Sequence, residues 1–342
     1  MSGPVGALGV DVDGAGICLR AIDLWLDPIR PPGGRNRVFV SHVHALSDAV
    51  PPDALLSLET SALGRALRPD RDVPPGLHWS EVVELAIRPD FGGGRARLSI
   101  VPAGHVLGAA QLVIDHPRGR FAYTGDWSSD EDATRPQGAV VTCDEILVTT
   151  SFALPIFQFD ALKQTLSSLT AWCEARLAGG ARPTVLVLNP GPAQSVIRAL
   201  TSRGIAVVAT DEIRATCEAY KSLGVAVGPV GTLCGPRGAS VLVAPASARA
   251  TDFGALTSRA VAYASGWALL DSAVERKRAD AAFVLADQAD HDGLVSLIER
   301  SGAISVHLAR GEARAFASVL RRRMDRLIHV LDLGPIDDRA AS

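Results

Sequence analysis

Three short stretches of this chain hold residue types that can do chemistry. Ser41-His42-Val43-His44 follows the apolar run Val38-Phe39-Val40, Pro102-Ala103-Gly104-His105 follows a second such run, and Tyr123-Thr124-Gly125-Asp126 closes a third. Two histidines at i and i+2 just past a strand end can turn both imidazoles toward one point, and neutral imidazole is the commonest ligand for zinc. Singly each stretch is ordinary. An isolated His-x-His reads as two surface histidines in a loop, and Gly-His or Gly-Asp at a strand end reads as turn chemistry. Together, three successive strand ends deliver three imidazoles and a carboxylate, a set that suits one divalent metal with a position left open for water.

The elements that must position these residues are legible around them. Residues 1–155 read mostly as short strands, at 17–26, 38–41, 98–101, 111–114, 121–124 and 145–149, rich in β-branched and aliphatic residues and bounded by turn formers. Hairpins are expected at Gly92-Gly93-Gly94 and at Asp115-His116-Pro117-Arg118-Gly119, and a helical pattern covers 61–67. After Pro155 the texture changes. A helix pattern over 161–178, with Leu162, Leu166, Leu169 and Trp172 on one face, is followed by strand 184–188, helix 193–203, strand 205–209 and helix 212–223. That alternation predicts βαβ units around a parallel sheet. The Gly/Pro/Ala-rich stretch 228–247 reads as a surface connection, and from 260 short strands and helices return at 260–264, 282–285, 291–301, 304–308 and 312–324. The expected plan is a β-rich lobe over 1–155, a middle α/β lobe over 156–260, and a part over 261–342 that completes the first.

Composition sets the outer bounds. A chain of 342 residues that is 47% hydrophobic can bury enough apolar surface to offset its ordering entropy, which excludes disorder. With 34 Lys+Arg against 37 Asp+Glu, the net charge of −3 excludes a strongly basic surface that grips nucleic acid by charge alone. The five cysteines form no Cys-x-x-Cys pair and are odd in number, so small buried hydrophobes in a reducing compartment are expected rather than disulfides or a zinc ribbon. The N-terminus has no signal-peptide pattern, and no window of ~20 apolar residues suggests a membrane span, so a cytoplasmic protein without a membrane partner is expected. Arg321-Arg322-Arg323 reads as a solvated helix face.

The three stretches also carry a resemblance. Residues 39–44, the run Ala103-Gly104-His105-Val106-Leu107-Gly108-Ala109-Ala110-Gln111 and the run Tyr123-Thr124-Gly125-Asp126-Trp127 resemble the metal-site motifs of the metallo-β-lactamase fold, and more narrowly of its β-CASP nuclease branch. Residues 147–157, 264–267, 286–290 and 308–311 fall where that branch has its later motifs. Within the branch the chain is most similar to the bacterial proteins called DNA-ligase-associated exonucleases or mRNA 3′-end-processing-factor-like proteins. The resemblance implies an α/β fold, a metallo-β-lactamase αββα sandwich with an inserted β-CASP-type parallel α/β domain. It implies zinc held by His42, His44, His105 and Asp126, with Asp126 also positioning the metal's water. Its implied partners are single-stranded DNA or RNA and the DNA ligases and helicases of repair.

Departures from the family pattern shape the expectation of activity. Leu46 and Ser47 stand where an aspartate and a third histidine of the first motif would be, with Asp48 following. Gln288 stands where a histidine ligand would be, between Asp287 and Ala289. Thr149 and Thr150 replace an acid, Arg310 replaces a histidine before Gly311, Ala209 lies near a missing histidine, and Pro192 replaces a lysine at a helix start. These changes remove the second metal and the proton donors, leaving one zinc ion at most. Asp48, Asp287 and His291 are the nearby groups that could support the site. Three readings stay open: a mononuclear, weakened exonuclease-like phosphodiesterase; a catalytically inactive relative acting as a binding or scaffolding partner in DNA repair or RNA processing; and a hydrolase of a small ester or thioester.

Overall fold

The structure, a computed structural model, describes residues 5–33, 37–47, 50–233, 239–248 and 259–333. It is a mixed α/β protein that divides into two compact units. The first comprises 1–129, 137–158 and 288–337, and the second 130–136, 159–287 and 338–342.

The chain begins in the first unit with β1 (Val10–Asp13), β2 (Gly16–Leu19), β3 (Leu24–Leu26) and β4 (Arg37–Phe39), which form a four-stranded sheet in that order. The first three strands are antiparallel, whereas β3 and β4 run parallel with Leu26 opposite Phe39. Helix α1 (Leu58–Leu67) follows, started by Ser57, whose side chain accepts from the Thr60 N–H. Then come β5 (Val83–Ala86), β6 (Arg95–Pro102), β7 (Ala110–His116), β8 (Gly119–Tyr123) and β9 (Glu145–Thr149).

The second unit carries α2 (Leu162–Ala178), β10 (Arg182–Val187), α3 (Pro192–Ser202), β11 (Val207–Ala209), α4 (Asp211–Ser222), β12 (Val241–Pro245), β13 (Arg259–Ala264), α5 (Asp271–Lys277) and β14 (Ala281–Phe283). Its five strands pair in parallel in the order β11-β12-β10-β13-β14. Two features differ from the sequence expectation. Strand β12 lies inside the stretch read as a surface connection, and all but its last residue are buried. A fully buried parallel strand has no polar alternation to betray it, so Val-Leu-Val-Ala-Pro disappears among neighbouring glycines and prolines. Strands β13 and β14 join this sheet, which carries the second unit past residue 260 to Asp287.

The chain returns to the first unit with α6 (His291–Ser301), β15 (Ser305–Ala309), α7 (Ala313–Arg323) and β16 (Leu327–Val330). These complete a seven-stranded sheet in the order β16-β15-β9-β8-β7-β6-β5, antiparallel from β5 to β8 and parallel from β8 to β16. Its residues alternate between two cores. Phe121, Tyr123 and Leu147 pack toward Ile17, Leu19, Leu24 and Leu26 of the four-stranded sheet. Ala122, Ile146, Val148, Val306 and Leu308 pack toward Leu297, Ile298, Phe316 and Leu320 of α6 and α7. The period of two thus places one side of the sheet against helices and the other against a second sheet.

Cys18, Cys143, Cys173 and Cys217 are free and buried, while Cys234 lies outside the described residues. Burial pushes the thiols of Cys18, Cys143 and Cys173 up to about 12, which makes them inert packing groups. Among the described residues, no helix is long and apolar enough to cross a membrane.

Candidate metal centre

The ends of β4, β6, β8, β9 and β15 meet at one edge of the first unit, and register is the reason. Parallel pairing of β8 with β9 and of β9 with β15 sets Tyr123 opposite Leu147 and Thr149 opposite Ala309. Strand β6 ends where β7 begins, with Pro102 opposite Ala110, and the Ala110 N–H donates to the Ser41 carbonyl at 2.8 Å. That bond ties the residues after β4 to the same edge.

His42 and His105 are buried there, at 8% and 1% exposure, with ring centroids 4.7 Å apart. Asp126 Oδ2 lies 3.7 Å from His42 Nε2 and 3.8 Å from His105 Nε2. His42, His105 and Asp126 each offer a donor atom within 4.8 Å of the others, a spacing from which all three can reach a common ion. His44 is exposed and stands beside this trio, its ring 5.6 Å from that of His42 and 5.5 Å from that of His105.

The chemistry of the donors suits a metal. Ser41 Oγ donates to Asp27 Oδ2 at 2.5 Å, so in its 2.8 Å bond with His42 Nδ1 it accepts. The proton of His42 therefore sits on Nδ1 and leaves Nε2 bare toward Asp126. Burial, then the neighbouring His105 and His44, hold the His42 imidazole well below its usual range, in the neutral form a metal requires.

Asp27 anchors this arrangement. It accepts from the Ser41 N–H at 2.7 Å and from the Tyr123 hydroxyl at 2.7 Å, in addition to Ser41 Oγ. Burial pushes its carboxyl upward, against the Arg310 charge and these bonds. Sequence reasoning passed over Asp27. Its signal was the strand-then-acid pattern of Leu24-Trp25-Leu26-Asp27, the same pattern that marked Asp126.

The loop 103–109 that carries His105 is closed by the Ala103 N–H donating to the Ala109 carbonyl at 2.8 Å. Gln111 Nε2 braces it, donating to the carbonyls of Pro102 and Ala139. Asp126 is held at both oxygens. Thr149 Oγ1 donates to Oδ1 at 3.0 Å and Gln288 Nε2 donates to Oδ2 at 2.8 Å.

Of the supporting groups named from the sequence, His291 falls elsewhere. His291 is buried at the start of α6, with Nδ1 2.7 Å from the Ala153 carbonyl and its ring edge-on to Phe316, so its imidazole is committed to packing. Asp287 is buried and belongs to the second unit. Asp48 lies outside the described residues. Leu46 is buried and its side chain lies against Gly64 of α1.

No family model matches the chain. Over 311 residues it is 27% identical to a protein named probable DNA ligase from Opitutus terrae (strain DSM 11246 / JCM 15787 / PB90-1), covering 90% of this chain and 30% of that protein. The chain thus spans about a third of the length of the curated relative it matches. Its fold is similar to that of a protein of unknown function from Enterococcus faecalis V583, solved by crystallography. The TM-score is 0.53 at 14% identity, covering 87% of this chain and 79% of that one.

Proposed function

We propose that this chain is a metallo-β-lactamase-fold protein of the β-CASP nuclease branch, a metal-dependent phosphodiesterase acting on single-stranded DNA. The convergence of His42, His105 and Asp126 from three strand ends carries this reading, with His44 beside them as the fourth ligand. The first unit is the lactamase-like lobe, and the second, with its all-parallel sheet, is the inserted domain. DNA is preferred to RNA because the relative is named a DNA ligase. In a longer polypeptide or a complex, such an activity would trim ends before a ligase joins them.

His42, His105 and Asp126, with His44 beside them, would hold one zinc ion, and Thr149 and Gln288 orient the Asp126 carboxylate toward it. A zinc ion held there would supply a water whose pKa is lowered toward ~7. The chain's own residues set up that chemistry. Ser41 fixes the His42 tautomer, Gln111 braces the loop of His105, and Thr149 and Gln288 aim Asp126.

A second reading, a non-catalytic relative that keeps the metal for shape, is favoured by one observation. The imidazole of His291, a possible proton donor to a leaving oxygen, is spent on Ala153. Elemental analysis of the purified protein, with degradation of labelled single-stranded DNA by wild type and Asp126→Ala, separates the two. About one zinc per chain with cleavage lost in the variant supports the nuclease. One zinc without cleavage supports the scaffold, and no zinc in the wild type sinks both.

A further inference from the structure

Arg310 lies just past the end of β15, at the same strand-end edge as the trio, and its environment is unusual for an arginine. It adopts a left-handed backbone conformation, φ 62°, which a bulky residue takes only when its surroundings enforce it. The enforcement comes from Thr150, whose N–H donates to the Ala309 carbonyl at 3.2 Å and whose hydroxyl donates to the Arg310 carbonyl. Gly311 follows with its Cα so close that an added Cβ would stand 2.4 Å from the Thr150 carbonyl oxygen. The backbone is thereby pinned so that the side chain runs inward. Nη2 donates to the Asp27 carbonyl at 2.7 Å, while Nε is buried with no hydrogen-bond partner among the described residues.

A guanidinium has five N–H donors, and burying one with donors unused is costly unless its charge is needed. Arg310 does not bond the Asp27 carboxylate, which already accepts three donors from Ser41 and Tyr123. Its charge is felt instead by Tyr123, Asp27 and Asp126, and by His42. Arg310 meets Asp27 only at its backbone carbonyl and keeps Nε unpaired among the described residues, so the guanidinium brings a positive charge to the strand-end edge that carries His42, His105 and Asp126.

The geometry points to Arg310 as the fixed cation that draws a phosphodiester anion to this centre. The inference rests on the reading of the site as a metal-dependent phosphodiester site, and supplies the positive field that the chain's surface, at a net charge of −3, does not. It also explains why arginine suits this position, since arginine stays charged when buried.

The test is binding, not turnover. Anisotropy of a fluorescein-labelled oligothymidylate is titrated with zinc-free and zinc-loaded protein, for wild type, Arg310→Gln and Arg310→Lys. A methylphosphonate oligothymidylate, whose backbone carries no charge, is run in parallel. Arg310→Gln is expected to bind the phosphodiester strand about ten- to hundred-fold more weakly. Arg310→Lys is expected to keep most of the affinity, the neutral strand to bind all three alike, and zinc content to be unchanged. Equal affinity of wild type and Arg310→Gln for the anionic strand overturns the proposal. So does an equal loss on the neutral strand, a loss in Arg310→Lys as large as in Arg310→Gln, or a loss of zinc or folding in both variants, since each makes Arg310 a structural cation. Absence of zinc from the wild type would instead sink the metal reading, and the zinc-free comparison would still decide the role of Arg310.

Discussion

Gln288 Nε2 donates to Asp126 Oδ2 at 2.8 Å, on the oxygen that also faces Nε2 of His42 and of His105. An amide therefore stands where the sequence pattern leads one to look for another imidazole ligand. It cannot bind a metal through its N–H; it orients the carboxylate that can.

This bond predicts a measurable loss. Gln288→Leu leaves Oδ2 without its donor, and outer-shell partners of metal ligands typically contribute 10–100-fold in affinity, so zinc binding should weaken by roughly that factor. Competition with a chromophoric chelator measures it. Unchanged affinity would mean that Thr149 alone holds Asp126.

Ser41 makes the matching prediction for His42. Ser41→Ala removes the acceptor that keeps the proton on Nδ1 and one of three donors to buried Asp27. Zinc affinity should fall about tenfold. Nitrogen NMR of the metal-free protein should show His42 as a mixture of tautomers. A single Nδ1–H tautomer in the variant would remove Ser41 from this role.

A carboxylate far from the metal centre contributes to stability against acid. Burial alone would raise the carboxyl of Glu145, but bonds from His307, 3.2 Å away, and from the Ala7 N–H at 2.8 Å bring it below its usual value. A depressed acid contributes stability that is complete above its unfolded pKa and is lost as the pH falls through the folded one. The wild type should therefore lose thermal stability below the ordinary glutamate range. Glu145→Gln should be less stable at neutral pH by about 1–3 kcal/mol and should show a shallower acid slope. Parallel acid slopes in the two proteins would refute this.

Gly104 tests the loop that carries His105. Its φ is +80°, and a Cβ would stand 2.0 Å from the Ser128 carbonyl oxygen and 2.4 Å from the Gly138 nitrogen. Gly104→Ala adds strain of about 1–3 kcal/mol from the backbone alone, before the clash is counted. It should lower the melting temperature and weaken zinc binding together, because the next residue is His105, a proposed ligand. Normal zinc affinity in a destabilised variant would show that the loop rearranges without moving His105.

Individual elements were legible in the sequence to different degrees, for physical reasons. Amphipathic or strongly patterned segments were read well: the expected helix over 291–301 is α6, the strand over 145–149 is β9, and the hairpin at 115–119 joins β7 to β8. Strands without alternation were not. β12 is buried among glycines and prolines, and β16, with Leu327 exposed and Ile328 buried, is too short to show a period. For the candidate site, His42, His105 and Asp126 could be named because each follows a recognisable strand end. Asp27 showed the same pattern without a histidine or glycine beside it to draw attention. His291, placed near the site by its distance from Gln288 along the chain, turns inward because the first turn of α6 points it at Ala153.

The sequence by itself determined the inventory: which strand ends carry imidazoles and carboxylates, and where a histidine-rich pattern is interrupted by Leu46, Ser47, Gln288 and Arg310. Only the tertiary structure decided what the interrupting residues do. Gln288 meets Asp126 across 162 positions of sequence, and Arg310 meets Asp27 across 283. Such meetings depend on the parallel register of β8, β9 and β15 and on the pairing of β3 with β4, set by pleat and packing over whole sheets rather than by any local run of residues.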